Sequence, residues 1–103
     1  MHQVNLSGID LNLLPPLQAL LLRKNVTHAA FDVGMSQPAM SRALARLRHL
    51  LDDPLLIRGA NGLMRTPRGE ALLPVVSLAI ENLRGVFTSQ HFDPKTLKRT
   101  IRF

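Results

Sequence analysis

Leu13, Leu17, Leu20 and Leu21 recur at spacings that bring them onto one face of a helix. The pattern predicts a first helix from Asn12 to Lys24. Pro15 and Pro16 suit only its first turn, because proline has no N–H to give a preceding carbonyl. Asn25 then caps a second helix from Val26 to Val33, with the small residues Ala29 and Ala30 at its middle, where another helix can cross close to the backbone. Gly34 marks a sharp turn, since glycine reaches positive φ without a Cβ clash. A third helix follows from Gln37 to Leu51. Its inner face holds Met40, Ala43, Leu44, Leu47 and Leu50, Val33 and Met35 pack nearby, and Asp53-Pro54 ends it.

Two short apolar runs, Leu55–Arg58 and Leu63–Thr66, flank Gly59-Ala60-Asn61-Gly62 and predict a β-hairpin around an Asn-Gly turn. Thr66 as cap and Pro67 at the first helical position open a last, long helix that runs to about Ser89. Leu72, Val76, Ile80, Leu83 and Phe87 form its apolar stripe, widened by Leu73, Ala79 and Val86. Pro74 falls inside it and predicts a kink or a locally unbonded turn. His91–Lys95 is a break signalled by Asp93-Pro94. Thr96–Phe103 then alternates, with Leu97, Ile101 and Phe103 among Lys98, Arg99 and Arg102, as the first strand of a further sheet.

The middle of this pattern carries the chemistry. Two short helices around Gly34 read as a helix-turn-helix, whose second helix enters a DNA major groove. Ser36 can cap that helix through its hydroxyl, and Pro38 at N2 lacks only an N–H that the first turn does not use. Gln37, Pro38, Ser41 and Arg42 then face outward, with Arg46 one turn on. Gln can bond an adenine edge in two places, Arg can do the same to guanine, and Pro38 offers an apolar contact to a thymine methyl. Beside such a unit the hairpin is a wing, and Arg58 and Arg65 flank it as phosphate contacts. The fold class expected is mainly α: a winged helix-turn-helix of three helices and a two-stranded wing, followed by a long linker helix.

Composition narrows the partner. The 103 residues carry a net charge of +6, with a sequence pI of about 11.4, which favours a polyanion. Between Ser36 and Arg68 stand Arg42, Arg46, Arg48, Arg58, Arg65 and Arg68 against only Asp52 and Asp53. Arginine suits planar, two-pronged contacts to guanine and phosphate. There is no Trp or Tyr, and the Phe are Phe31, Phe87, Phe92 and Phe103, too few platforms for stacking single-stranded bases. With no cysteine, disulfides and thiolate metal sites are excluded, and a reducing cytoplasm is compatible. His2, His28, His49 and His91 lack metal-ligand spacing. Asp52-Asp53 is adjacent rather than a catalytic pair, and Asp52 is spaced to pair with Arg48. No signal segment, membrane span or Gly-rich phosphate loop stands out, so an enzyme is not expected.

The stretch SQPAMSRALARLRHLLDDPLLIR, Ser36–Arg58, resembles the DNA-binding domain of LysR-type transcriptional regulators. DLNLLPPLQALLLRKNVTHAA, Asp10–Ala30, is similar to the family's first helix and the start of its helix-turn-helix. RTPRGEALLPVV, Arg65–Val76, resembles the start of its linker helix, and HFDPKTLKRTIRF, His91–Phe103, the join to its effector-binding domain. Asn61 departs from the family's frequent pattern of a basic wing tip, and two readings stand for it: a hairpin turn or a DNA contact. The resemblance implies three parts: residues 1–66 as the winged domain, 67–89 as the linker and dimerisation helix, and 90–103 as a hinge and the first strand of the effector domain.

The resemblance also implies function. The expected activity is sequence-specific binding of double-stranded DNA by a homodimer on an approximate inverted repeat. Gln37, Pro38, Ser41 and Arg42 read bases, while Thr27, His28, Ser36, Arg46, Arg58 and Arg65 hold phosphates. Leu72, Val76, Ile80, Leu83 and Phe87 form the antiparallel dimer arm, with packing on their own domain as the alternative. No cofactor is expected within this chain. A small-molecule co-inducer, RNA polymerase and a tetrameric assembly are expected of the full-length protein, in the cytoplasm. The rival readings are a winged-helix module for protein interaction and a nonspecific architectural DNA-binding protein.

Overall fold

The computed structural model of the chain describes residues 6–88. After a 3-10 turn at Leu6–Gly8, Asp10 starts the first long element, its Oδ1 accepting the Asn12 N–H at 3.0 Å. The expected single helix is split here. A 3-10 turn, Leu11–Leu13, leads into α1, Leu14–Arg23. The prolines explain the split, because Pro15 and Pro16 cannot donate to Leu11 and Asn12, the bonds an α-helix would need there. Lys24 closes α1 in the left-handed region, with φ 52°.

The next two helices begin and end at the expected residues. The Asn25 side chain accepts the His28 N–H at 2.9 Å and opens α2, Val26–Val33. Gly34, at φ 71°, ends it, and the Met35 N–H reaches back to the Ala30 carbonyl at 2.9 Å. Ser36 Oγ accepts the Ala39 N–H at 3.2 Å and opens α3, Gln37–Leu51, with Pro38 in its first turn. Buried Leu13, Leu17, Leu20 and Leu21 meet Ala29 and Ala30 of α2 and Met40, Ala43, Leu44 and Leu47 of α3 in one core. Leu50 is a correction: it is 52% exposed. The inner face continues from Leu47 to half-buried Leu51, while Leu50 overhangs an open apolar cleft shared with Leu11 and Val86.

Asp52, at φ 52°, ends α3, and it forms no ion pair with Arg48. Arg48 instead donates from Nε to the Pro54 carbonyl at 2.7 Å and from Nη2 to the Leu56 carbonyl at 2.9 Å, holding the chain as it leaves α3. The wing is an antiparallel pair of β1, Leu56–Gly59, and β2, Gly62–Arg65, with Gly59 opposite Gly62. Its turn therefore centres on Ala60-Asn61, and Gly62, at φ 110°, is the first residue of β2 rather than part of an Asn-Gly turn.

Thr66 caps α4, Pro67–Phe87, its Oγ1 accepting the Gly69 N–H at 3.0 Å. The helix runs through Pro74 without interruption and stops two residues short of the expected Ser89. Ser89, the break at His91–Lys95 and the alternating segment Thr96–Phe103 lie outside the described residues. Val76 and Ile80 are buried in the core, and Gln18 Nε2 of α1 donates to Ser77 Oγ at 3.1 Å. Two members of the predicted dimer stripe are thus corrected. Val76 and Ile80 pack on α1 of their own chain, Leu72 and Leu83 are half-buried, and Phe87 alone of the five is fully exposed, at 81%. The open apolar face lies on the other side, at Val75, Leu78 and Val86.

One junction fixes wing and α4 against α3. Asp53 Oδ2 accepts the Leu55 N–H at 2.8 Å and the Thr66 hydroxyl at 2.7 Å, and the Thr66 N–H donates to the Leu55 carbonyl at 2.9 Å. Leu55 takes φ 67° with its side chain buried. A Cβ on Gly69 would stand 2.7 Å from the Leu55 carbonyl oxygen, so only glycine fits beneath this corner. The Thr66 hydroxyl and then the Leu55 N–H hold the Asp53 carboxyl below its ordinary range against the opposing effect of burial, with a lesser contribution from the charge of Arg68. Because the folded value is depressed, this stabilisation is present above the unfolded value of about 4 and is lost as pH falls through the folded value. Thr66→Ala is expected to lower stability by about 1–2 kcal/mol at neutral pH in urea unfolding. It is also expected to flatten the decline in stability below about pH 4. An acid limb as steep as the parent's would show that Asp53 draws its shift from elsewhere.

Candidate nucleic-acid interface

The exposed face of α3 carries the expected readers. Gln37, Pro38, Ser41 and Arg42 are all exposed within its first two turns, and no hydrogen bond or ion pair within the described residues engages the Gln37, Ser41 or Arg42 side chain. Their amide, hydroxyl and guanidinium are therefore free to bond an outside partner. Pro38 adds an apolar surface without competing for hydrogen bonds. Ser36 spends one lone pair on its cap, yet its O–H remains a donor. Arg46 faces the same side and meets Asp10 at 3.5 Å, with both side chains more than one-third exposed. A pair so open to water adds little stability and leaves the guanidinium accessible.

A second part of the surface forms between α2 and the wing. Thr27 and His28, in the first turn of α2, line an open cleft of about 620 Å³ together with Arg58 and Asn61 of the wing. These residues are far apart in sequence, and the fold brings them to one place. Arg23 and Lys24 line the same cleft. Neither was expected in the site. The signal for Lys24 was its place between the end of one helix and the cap of the next, where a basic residue must sit at the surface.

The arginines divide into two groups. Arg42 and Arg58 bond nothing among the described residues and Arg46 only meets Asp10 in the open, whereas Arg48, Arg65 and Arg68 bond carbonyls of the scaffold. Arg65 is a correction to the expected phosphate set. Its Nη1 donates to the Leu21 carbonyl at 2.6 Å, its Nε meets Glu70 Oε2 at 3.1 Å, and its side chain is only 19% exposed. Backbone alternation turns Arg65 inward at the end of β2, toward α1 and α4. Arg68 Nη1 donates to the Leu51 carbonyl at 3.3 Å, tying α4 to the end of α3.

Among the described residues no group of three His, Asp or Glu side chains is placed to hold a metal ion, and no helix is long and apolar enough to cross a membrane. His28 and His49 lie exposed on different helices.

Residues 11–70 match the family model described as bacterial regulatory helix-turn-helix protein, lysR family. The chain is similar to the HTH-type transcriptional regulator SyrM of Rhizobium etli, at 54% identity over 89 residues, covering 86% of this chain and 26% of that protein. It thus spans about a quarter of that relative's length. A crystal structure of the probable transcriptional regulator PA0477 from Pseudomonas aeruginosa superposes with a TM-score of 0.71 at 41% identity, over 78% of this chain and 27% of that one. The BenM DNA-binding domain, solved in a complex with benA site 1 DNA, superposes with a TM-score of 0.68 at 26% identity, over 76% of this chain and 91% of that one. Both agree with the winged architecture described above.

The division of the arginines has a measurable consequence. Arg65→Ala is expected to lower stability by about 1–3 kcal/mol, because it strips a charged donor from a partly buried carbonyl. Arg58→Ala is expected to stay within about 0.5 kcal/mol of the parent. Urea unfolding of the two variants checks this, and equal losses would contradict the division.

Proposed function

The chain belongs to the LysR family of bacterial regulatory helix-turn-helix proteins, and from that premise we propose that it is the DNA-binding part of a transcriptional regulator that reads duplex DNA as a homodimer. The observation that carries this reading is the set of unengaged polar side chains, Gln37, Ser41 and Arg42, on the first two turns of α3. A helix that only kept a protein soluble would need no such set. The DNA complex of the similar BenM domain supports the same partner.

In this reading the N-terminal half of α3 lies in the major groove. Arg42 bonds a guanine edge with two donors, Gln37 an adenine edge through its amide, and Ser41 adds a hydroxyl that either base type accepts. Pro38 meets a thymine methyl. Thr27, His28, Ser36, Arg46 and Arg58 hold phosphates, which sets register and orientation without reading sequence. Arg65 is left out of that set, since its guanidinium is engaged within the fold. The α-helical scaffold and the absence of aromatic platforms in the sequence favour duplex over single strands.

The dimer forms through α4. Its inner face is occupied by α1, so the outer residues Val75, Leu78 and Val86 remain for a second copy, with Phe87 exposed at the helix end in line with the inner stripe. A two-fold axis through such a contact relates two α3 helices and calls for an approximate inverted repeat in the operator. The rest of a full-length protein would hold a small-molecule co-inducer and present a surface to RNA polymerase. Action in the cytoplasm, where the DNA is, completes the reading, and no catalytic step enters it.

Selection of bound duplexes from a random pool tests the reading. The expected result is a two-fold-symmetric winner bound at least about a thousandfold tighter than random duplex. On that winner Arg42→Ala is expected to lose roughly 1–3 kcal/mol and to relax preference at one base position. An equal loss on every duplex would move Arg42 among the phosphate contacts, and a pool without enrichment would overturn specific recognition. For the dimer, Leu78→Glu combined with Val86→Glu is expected to give a folded monomer in sedimentation equilibrium. A double variant that stays dimeric would place the contact elsewhere.

A further inference from the structure

We propose that Lys24 is a phosphate-binding residue, facing the wing across the cleft that it shares with Arg58, and that its charge is the reason a lysine stands in a left-handed backbone position. The proposal rests on the duplex-binding reading above and adds to it a residue that neither the α3 face nor the wing supplies.

Lys24 closes α1 at φ 52° and ψ 39°, its N–H donating to the Leu20 carbonyl at 2.9 Å. Glycine is the low-energy occupant of such a position, because a Cβ crowds the neighbouring carbonyl. The chain uses glycine for the same task at the end of α2, where Gly34 takes φ 71°. Three other residues in the described part adopt positive φ without being glycine: Lys24, Asp52 and Leu55. Leu55 has its side chain buried in the core, which accounts for it. Aspartate tolerates the left-handed region better than most residues, which accounts for Asp52. Lys24 is exposed and belongs to no core cluster, so packing does not account for it.

Its surroundings do. Lys24 lines the cleft with Thr27, His28, Arg58 and Asn61, and no acidic side chain lines it with them. Its neighbour Arg23 is engaged by Asp32 at 3.4 Å, but no ion pair engages Lys24 or Arg58 among the described residues. Two unneutralised cations from separate elements thus face one open volume, together with hydroxyl and amide donors. That is a receptor for an anion. The anion fitted to an open cleft beside α2 and the wing is a phosphodiester of the duplex whose major groove takes α3. An ammonium is a point charge on a flexible stem, so its contribution is independent of base sequence. The competing account is that Lys24 only complements the carbonyl end of α1. The two differ in what removal of the charge disturbs: DNA binding in the first, the fold in the second.

The test uses the whole chain as Lys24→Gly and Lys24→Gln, with binding to the selected duplex and to a random duplex measured over a salt series. Glycine relieves the left-handed position, so Lys24→Gly is expected to unfold at the parent's temperature or above it. Both variants are expected to bind about tenfold more weakly to both duplexes alike, with the slope of log K against log salt reduced by about one. Lys24→Gln that loses thermal stability but keeps the parent's affinity and slope would overturn the proposal in favour of the helix-end account. Unchanged binding by both variants would overturn it as well. Failure of the parent chain itself to bind either duplex would overturn the duplex-binding reading, and this one with it.

Discussion

The hydrogen bonds that join Asp53, Leu55 and Thr66 decide how the parts of this molecule stand to one another. A single carboxylate accepts from the start of the wing and from the cap of α4, and the same threonine holds the first turn of that helix. Without this corner, α3, the wing and α4 would be three elements joined by short linkers. With it, the wing leaves α3 in a fixed direction and α4 starts from a fixed point. Arg48 and Arg68 strengthen the corner by bonding carbonyls that the chain exposes as it turns. The site adjoins the same corner, since Arg58 of β1, which leaves from it, lines the α2 cleft.

Local chemistry made much of the fold legible from the sequence. Asn25, Gly34, Ser36, Thr66 and Pro67 act on residues within four positions of themselves, so their effect is written in the neighbouring letters. The outward face of α3 was legible for the same reason, because a cap and a period of 3.6 fix which residues point outward. What depended on distant partners was not legible. Arg65 and Arg58 are alike as letters beside a hairpin, and what separates them is the carbonyl of Leu21, 44 residues away, together with the Glu70 carboxylate. The direction of α4 was hidden likewise. Two apolar stripes run along it, and the sequence does not say that α1 takes the one with Val76 and Ile80. Leu50 failed because a helix can extend past the core that its period implies.

The distribution of charge follows a division of labour. Half of the six arginines from Arg42 to Arg68 bond carbonyls and carboxylates of the chain itself, where a planar donor satisfies backbone groups at a crowded turn. Of the others, Arg42 and Arg58 have no partner among the described residues, and Arg46 has only its open pair with Asp10. A basic composition therefore overstates the charge available to a polyanion, and a count of arginines alone would misjudge it. The cation that supplements the exposed set is a lysine at a helix end, outside the arginine-rich stretch.

The unbroken passage of α4 from the corner has a mechanical meaning. Its 21 residues make a rod of roughly 32 Å at 1.5 Å per residue. A tilt of about 10° at one end of such a rod displaces the other by roughly 5–6 Å. Because the rod is bonded to the base of the wing and packed on α1, in the proposed dimer a small twist where two such rods meet would be geared directly to the distance between the two α3 helices. That dimer would act as a pair of calipers, its grip on one half-site set by the bonds at the corner and its reach to the next by the angle of the arm.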